Sequence, residues 1–189
     1  MNFFIKLLNS AGRTLSIKSR EATKWFRDSV STVISRQKTD PNKVFNKDAR
    51  PQVGRMYMFV YDAKHKDTLP YFDMYPMVIP IEFYGDGFLG INFHYLPPLA
   101  RAQLLDALMD ISNNNKYDDT TKLNISYKLL RASATRYKGF ESCVKRYLFA
   151  HVRSSFHYVS PADWDKAVVM PLQKWHINPN KKYAGSPPY

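Results

Sequence analysis

The chain has 189 residues, of which 44% are hydrophobic and 15% aromatic, and its formal net charge at pH 7 is +12. This length fits one domain with an appended arm, and the apolar content excludes a wholly disordered chain. The single cysteine, Cys143, excludes an internal disulfide and a cysteine-rich zinc site, and it favours a reducing compartment.

The first twelve residues, MNFFIKLLNSAG, contain a short apolar run that Lys6 interrupts. A signal peptide needs a longer apolar core, and no window reaches the roughly 18 apolar residues of a transmembrane helix. Phe3, Phe4, Leu7 and Leu8 share a helical face, so an amphipathic helix at a membrane surface is the alternative. We expect a soluble protein without a membrane partner.

Positive charge is concentrated in residues 1–55, which carry twelve Lys or Arg and four Asp or Glu, against sixteen and twelve in the rest of the chain. Apolar residues recur there at spacings of three and four, which predicts one long helix that ends at Asp40-Pro41. Its apolar stripe contains Leu15, Trp25, Phe26, Val30, Val33 and Ile34. Its basic face contains Arg13, Lys18, Arg20, Lys24 and Arg27. With a linker over 38–53, residues 1–53 are predicted to form a basic N-terminal helical arm.

Two kinds of partner fit such an arm. Lysine and arginine that neutralise phosphates release counterions, which gives nucleic-acid binding with a strong salt dependence. The alternative is a solvated basic helix that packs on its own domain or on an acidic protein partner. The sequence contains no helix-turn-helix, zinc-finger or RNA-recognition signature, so sequence-specific contacts with base edges are not expected.

From Gly54 onwards the chain is rich in aromatic and β-branched residues. Strands are predicted over 56–61, 75–84 and 88–96, as an antiparallel meander. A hairpin turn at Gly85 to Gly87 is expected to use the ability of glycine to adopt positive φ. Pro76 and Pro80 place the second strand at an edge or a bulge.

Helices are predicted to follow this meander. The first begins after Pro97-Pro98, with Leu104, Leu105, Leu108 and Met109 on one face. The second begins after Asp118 or Asp119 as N-cap, with Leu123, Tyr127 and Leu130 on its stripe. A third, over 140–152, is expected to bury Phe140, Val144, Tyr147 and Leu148. Strands are predicted at 154–159 and 167–172.

The predicted fold class is therefore α+β, with a small antiparallel sheet of about four to five strands packed with three helices. Residues 54–175 form the compact domain of this prediction. Residues 176–189, which include NPNKKYAGSPPY, are predicted to be an extended tail because proline, asparagine and lysine dominate them.

The common enzyme motifs are missing from the sequence, which contains no phosphate-binding glycine loop, no HExxH and no GxSxG. Asp62-Ala-Lys64 has the D-x-K spacing of metal-dependent nucleases, but the companion acid is missing, since Asp48 lies in the predicted linker. Cys143 is expected to be a buried thiol, and His94 a structural residue that bonds across strands. We expect no catalytic residue, no metal site and no cofactor.

Several blocks of the body resemble a protein family of T-even-type contractile-tailed bacteriophages, the DNA end protector proteins. They are MYMFVYDAKHKDTLPYFDMYPMVIPIE, GFLGINFHYLPPLARAQLLDAL and CVKRYLFAHVRSSFHYV, followed by DWDKAVVMPL, within residues 54–175. The resemblance implies a virion protein that binds the ends of packaged linear double-stranded DNA, protects them from host exonuclease after injection and helps to complete the head. Portal, neck or other virion proteins would be its partners, and the virion and the host cytoplasm its locations.

End binding of this kind requires phosphate contacts and stacking on exposed bases. We expect the phosphate contacts from Arg13, Lys18, Arg20, Lys24, Arg27, Lys64 and Lys66. Trp25 and Phe26 are candidates for stacking, with packing in the core as the competing interpretation. The alternative function is that of a structural neck or baseplate protein whose basic arm binds a neighbouring subunit.

Overall fold

This computed structural model describes residues 2–10, 12–35, 50–68, 71–136, 143–170 and 176–177. The described residues contain five α-helices and seven β-strands. The helices are α1 (Phe3–Leu8), α2 (Gly12–Ser35), α3 (Pro98–Ser112), α4 (Asp119–Arg136) and α5 (Trp164–Val169). The strands are β1 (Met56–Met58), β2 (Tyr71–Phe72), β3 (Met77–Tyr84), β4 (Gly87–Asn92), β5 (Val144–Leu148), β6 (His157–Val159) and β7 (His176–Ile177).

The main sheet has five antiparallel strands in the order β5-β4-β3-β1-β6. Its centre is the predicted β3–β4 hairpin, in which Tyr84 pairs with Gly87, and the register shifts between Pro80 and Glu82 at a bulge. β2 and β7 form a separate antiparallel pair. The predicted α+β class is therefore confirmed.

Each face of the sheet carries its own hydrophobic cluster, because side chains alternate along a strand. Met58, Met77, Ile79 and Ile91 belong to the larger cluster, to which the helices also contribute. The opposite face carries a smaller aromatic cluster that contains Phe59, Val78, Phe88, Tyr147 and Val152. The sheet is thus buried on both sides, by helices on one side and by aromatic loop residues on the other.

Helices α1 and α2 contribute to the core of the body. Phe4, Ala22, Phe26 and Val33 are buried in the larger cluster. The division of the chain at residue 53 and the compact unit 54–175 stay predictions. The predicted helix end at Asp40-Pro41 lies outside the described residues, as does most of the tail, of which 176–177 form β7.

Two predicted elements are wrong. Residues 144–148 form strand β5 and not part of a helix, because Tyr147 pairs with Phe88 of the neighbouring strand β4 and stacks on its ring at 5.4 Å. Phe140 lies outside the described residues. The predicted strand over 167–172 is helix α5 as far as Val169, since it packs against α2.

Two further details of the sheet differ from expectation. The strand predicted over 88–96 ends at Asn92, whose side-chain oxygen accepts the N–H of His94 at 2.8 Å and starts a 3-10 turn over Phe93–Tyr95. In the hairpin, the position of Gly87 requires glycine because the backbone of Tyr147 lies very close to it, and not because its φ is positive. A Cβ atom there would collide with the carbonyl of Tyr147, and Gly54 is the only described glycine with positive φ, 78°.

The N-cap predicted for α4 is confirmed, since Asp118 accepts the N–H of Thr121 at 2.7 Å. Among the described helices, none has the length and apolar composition that crossing a membrane requires.

Candidate nucleic-acid interface

Helix α2 presents a row of three cations to solvent. Arg20, Lys24 and Arg27 are exposed and follow one another at spacings of four and three, so they lie on one side of the helix. The opposite side, with Ala22 and Phe26, is buried against the body. We call Arg20, Lys24 and Arg27 the basic row, and no ion pair joins it to a carboxylate among the described residues.

Lys18 has a different position from the basic row. Its ammonium lies 3.3 Å from a carboxylate oxygen of Glu21 and 3.6 Å from one of Asp165 on α5. The hydrogen bond to Glu21, and then the two negative charges, raise the pKa of Lys18. This lysine therefore joins α2 to α5, and its charge is already partly balanced within the protein.

The remaining predicted contacts on α2 divide into three cases. Arg13 belongs to the helix seven positions before Arg20, and its side chain lies outside the described part. Trp25 is half-buried and packs against the larger cluster. Phe26 is 5% exposed, with its ring edge-on to His94 at 5.3 Å, so it cannot stack on a base.

Lys64 and Lys66 lie in the loop after Tyr61, and both are exposed. The ammonium of Lys66 donates to Asp62 at 2.8 Å, and Arg153 contacts the other carboxylate oxygen at 3.2 Å. The hydrogen bond from Lys66 is the main cause that lowers the pKa of Asp62. Lys66 is thus paired, whereas Lys64 has no ion pair with a described carboxylate.

The D-x-K pair does not assemble into a recognisable metal centre in the described ranges. Both oxygens of Asp62 are held by cationic side chains. No group of three or more His, Cys, Asp or Glu side chains with metal-binding geometry occurs among the residues that the structure describes.

A cavity of about 430 Å³, which no sequence pattern predicts, opens beside strand β5. Tyr61, Phe72, Tyr95 and Tyr147 contribute aromatic walls, and Asp73 and Asn92 contribute polar surface. Its other lining residues are Ala63, Lys64, His65, Lys145, Arg146 and Leu148. Among these cations only Lys64 was predicted to bind DNA, and Lys145 and Arg146 were assigned to a helix.

Two cations of β5 have different environments. Lys145 is half-buried, its ammonium lies 5.0 Å from the ring centre of Tyr95, and burial lowers its pKa. Arg146 donates to Asp86 at 2.6 Å and lies over the ring of Tyr84 at 4.7 Å. The charge of Arg146 is therefore balanced by a carboxylate, and that of Lys145 is not balanced by any described one.

The polar floor of the cavity contains a hydrogen-bonded network around Asp73. One of its carboxylate oxygens accepts from the Asn92 side chain at 2.9 Å and contacts Nδ1 of His94 at 2.7 Å. Its other oxygen accepts the N–H of Tyr75 at 3.0 Å. His94 is 1% exposed, so it braces the end of β4, in agreement with the structural role expected for it.

A family model described as phage T4 terminal DNA protecting protein matches residues 3–187, which is nearly the whole chain. The chain belongs to this family. The resemblance predicted from the body residues is therefore confirmed, and it extends into the N-terminal helices as well. Comparison with curated proteins and with solved structures gave no match.

Proposed function

We propose that this protein of the terminal DNA protecting family binds the ends of linear double-stranded DNA and shields them from exonuclease. The observation that carries the proposal is the basic row on α2. Its three cations face solvent on one side of a helix whose other side is fixed in the core. A fixed row of cations can contact a phosphate backbone without first losing the conformational freedom of a flexible arm.

The dimensions of the basic row suit a phosphate backbone. At a rise of about 1.5 Å per residue, Arg20 and Arg27 are about 10 Å apart along the helix axis. Double-stranded DNA carries one negative charge per about 1.7 Å of its axis, so a surface of this length faces several phosphates. Such contacts do not depend on base sequence, which is what the protection of arbitrary ends requires.

We place the protein in the virion and, after injection, in the host cytoplasm, and we propose portal, neck or other head-completion proteins as its partners. Protection requires occupancy of the end and no chemistry on the DNA. The pairing of Asp62 with Lys66 and Arg153 supports a protein that is not a nuclease, since this carboxylate is engaged by cations.

A second candidate function is a structural neck or baseplate protein whose helix α2 binds an acidic neighbouring subunit. Ile17, which is 49% exposed, favours it because it lies beside the basic row on the solvent side of α2. An exposed apolar side chain beside a row of cations is more typical of a protein interface than of a phosphate-binding surface.

The two candidates differ in a binding titration with linear and closed circular duplexes of equal length, at two salt concentrations with magnesium present. DNA-end binding predicts preference for the linear form, strong weakening by salt and intact DNA after incubation. The variant Arg20→Gln/Lys24→Gln/Arg27→Gln should then bind weakly. Its matched control, Lys116→Gln/Lys122→Gln/Lys128→Gln, removes the same charge from α4 and the loop before it. No binding to either DNA would favour the second candidate.

A further inference from the structure

We propose that the cavity beside β5 receives the terminal nucleotide of a DNA strand, with its 5′-phosphate at Lys145. This inference rests on the proposed function and deepens it, because it states how an end is distinguished from the interior of a duplex. The basic row on α2 contacts phosphates wherever they occur. To distinguish an end from the interior of a duplex, the protein needs a second site that only the end of a strand can enter.

Lys145 is the residue that points to an anionic ligand. A partly buried ammonium has lost part of its hydration, and proteins usually compensate such a group with a carboxylate. No carboxylate among the described residues lies within 4 Å of this ammonium, which instead lies over the ring of Tyr95 at 5.0 Å. Lys145 is therefore available to an anion that enters the cavity.

Asp73, which contributes the carboxylate among the described residues that line the cavity, does not compete for Lys145. Both oxygens of Asp73 accept hydrogen bonds, from the backbone of Tyr75 and from the side chain of Asn92, and His94 contacts the second oxygen. The Asp73 side chain is 10% exposed. Lys64 adds a second cation that no described carboxylate pairs.

The half-buried ring of Phe72 provides the wall on which a base can stack, since the rings of Tyr61, Tyr95 and Tyr147 are at most 9% exposed. Base stacking on aromatic side chains is favourable for every base, so it provides affinity without sequence preference. The volume of about 430 Å³ falls in the range of about 300–1,000 Å³ that small-ligand pockets occupy. A cavity in this range is large enough for a ligand of the size of one nucleotide.

Only the end of a strand meets these requirements at low cost. A terminal nucleotide stacks on one neighbour alone, so its extrusion costs less than that of an internal one, for which the cost is already only a few kcal/mol. A terminal 5′-phosphate is a monoester with a charge of about −1.5 to −2 at pH 7, whereas an internal phosphate carries one charge. Lys145 is thus expected to prefer the terminal group.

The test compares blunt linear duplexes that carry either a 5′-phosphate or a 5′-hydroxyl, titrated with the full-length protein at fixed salt. We expect about tenfold tighter binding of the phosphorylated duplex, as for one hydrogen-bonded charge pair. Lys145→Met should abolish this preference while leaving the weaker, salt-dependent binding to both duplexes. Lys145→Arg should retain the preference for the 5′-phosphate. Lys128→Met, which removes an exposed lysine from α4, should leave this preference unchanged.

The outcomes separate this inference from the proposed function. If the protein binds both duplexes equally and still prefers linear to circular DNA, the nucleotide site is wrong and end binding stands. If the Lys145→Met variant keeps the preference, the site is also wrong. If the protein binds neither duplex, both proposals fail. Thermal unfolding of each variant, with an unchanged midpoint, shows that the comparison concerns folded proteins.

Discussion

The ammonium of Lys18 lies 3.6 Å from a carboxylate oxygen of Asp165, and this pair connects α2 to α5. Although Lys18 belongs to the same basic segment as Lys24, the two lysines therefore have different environments. Lys18 faces the body and balances two acids, and Lys24 faces solvent as the centre of the basic row. Helical periodicity already places Lys18 and Lys24 on different sides of α2, and the acidic partners of Lys18 show which of them the body engages.

Lys24→Met is accordingly expected to weaken DNA binding more than Lys18→Met. Each phosphate contact contributes about 0.9 to the slope of log K against log salt concentration. Lys24→Met should reduce the magnitude of this slope by about 0.9, and Lys18→Met should leave it nearly unchanged. Titrations at four salt concentrations measure both slopes. Equal reductions would show that Lys18 leaves its acidic partners to bind DNA.

Asp106 of α3 fixes the start of α1. Its two carboxylate oxygens accept the N–H groups of Phe4 at 3.0 Å and Ile5 at 3.1 Å, which have no partner inside a helix. Asp106→Ala should lower the free energy of unfolding by about 1–3 kcal/mol, because it leaves these donors unsatisfied. Urea denaturation measures this change in the free energy of unfolding. The exposed Asp110→Ala is the control, and a similar loss for both variants would contradict this assignment.

Arg101 joins three segments of the backbone at the centre of the molecule. Its Nε donates to the carbonyls of Phe93 and Leu96, both at 2.8 Å, and one terminal nitrogen donates to Met170 at 2.8 Å. Burial lowers the pKa of this guanidinium to about 10, so it remains charged at neutral pH.

Arg101→Lys retains the charge and loses the planar arrangement of donors. We expect the free energy of unfolding to fall by about 2–4 kcal/mol, since buried carbonyls lose their donors. The exposed Arg131→Lys provides the matched control in the same denaturation experiment. An Arg101→Lys protein as stable as the wild type would show that charge alone is sufficient at this position.

Cys143 is fully buried, and burial raises the pKa of its thiol from 9.0 to about 11. At pH 8 its thiolate fraction should be about a hundredfold lower than that of an ordinary cysteine, so alkylation should be slow until the protein unfolds. The raised pKa stabilises the folded state below pH 9, and this contribution is lost as the pH rises towards 11. In Cys143→Ala, the free energy of unfolding should not include this decrease between pH 9 and pH 11. Rapid alkylation of the folded protein at pH 8 would contradict the assignment.

The sequence predicted those elements whose pattern is local. The β3–β4 hairpin and helices α3 and α4 carry local turn and cap signals, and the structure contains all three elements. The stripe predicted for α4 is right for Leu130, which is buried, and wrong for Leu123, which is 48% exposed. β5 was missed because Val144, Tyr147 and Leu148 have spacings that also suit a helix. The pairing of Tyr147 with Phe88 decides between the two structures, and it is a contact between residues distant in sequence.

In the candidate site too, the features that depend on contacts between residues distant in sequence could not be predicted. Helical periodicity places Arg20, Lys24 and Arg27 on one face, so the basic row could be predicted. The position of Lys18 depends on Asp165, which is far away in the chain. The cavity depends on β5 lying beside β4, so an incorrect helix at 140–152 concealed the position of Lys145.

The most direct measurement of end protection is the rate at which a processive exonuclease digests linear duplex DNA preincubated with the protein. We predict slow digestion with the wild type and rapid digestion with Arg20→Gln/Lys24→Gln/Arg27→Gln at the same concentration. Cleavage of closed circular DNA by a nonspecific endonuclease should be unaffected, which separates end binding from coating of the whole duplex. Unchanged exonuclease digestion at saturating wild-type protein would contradict the proposed function.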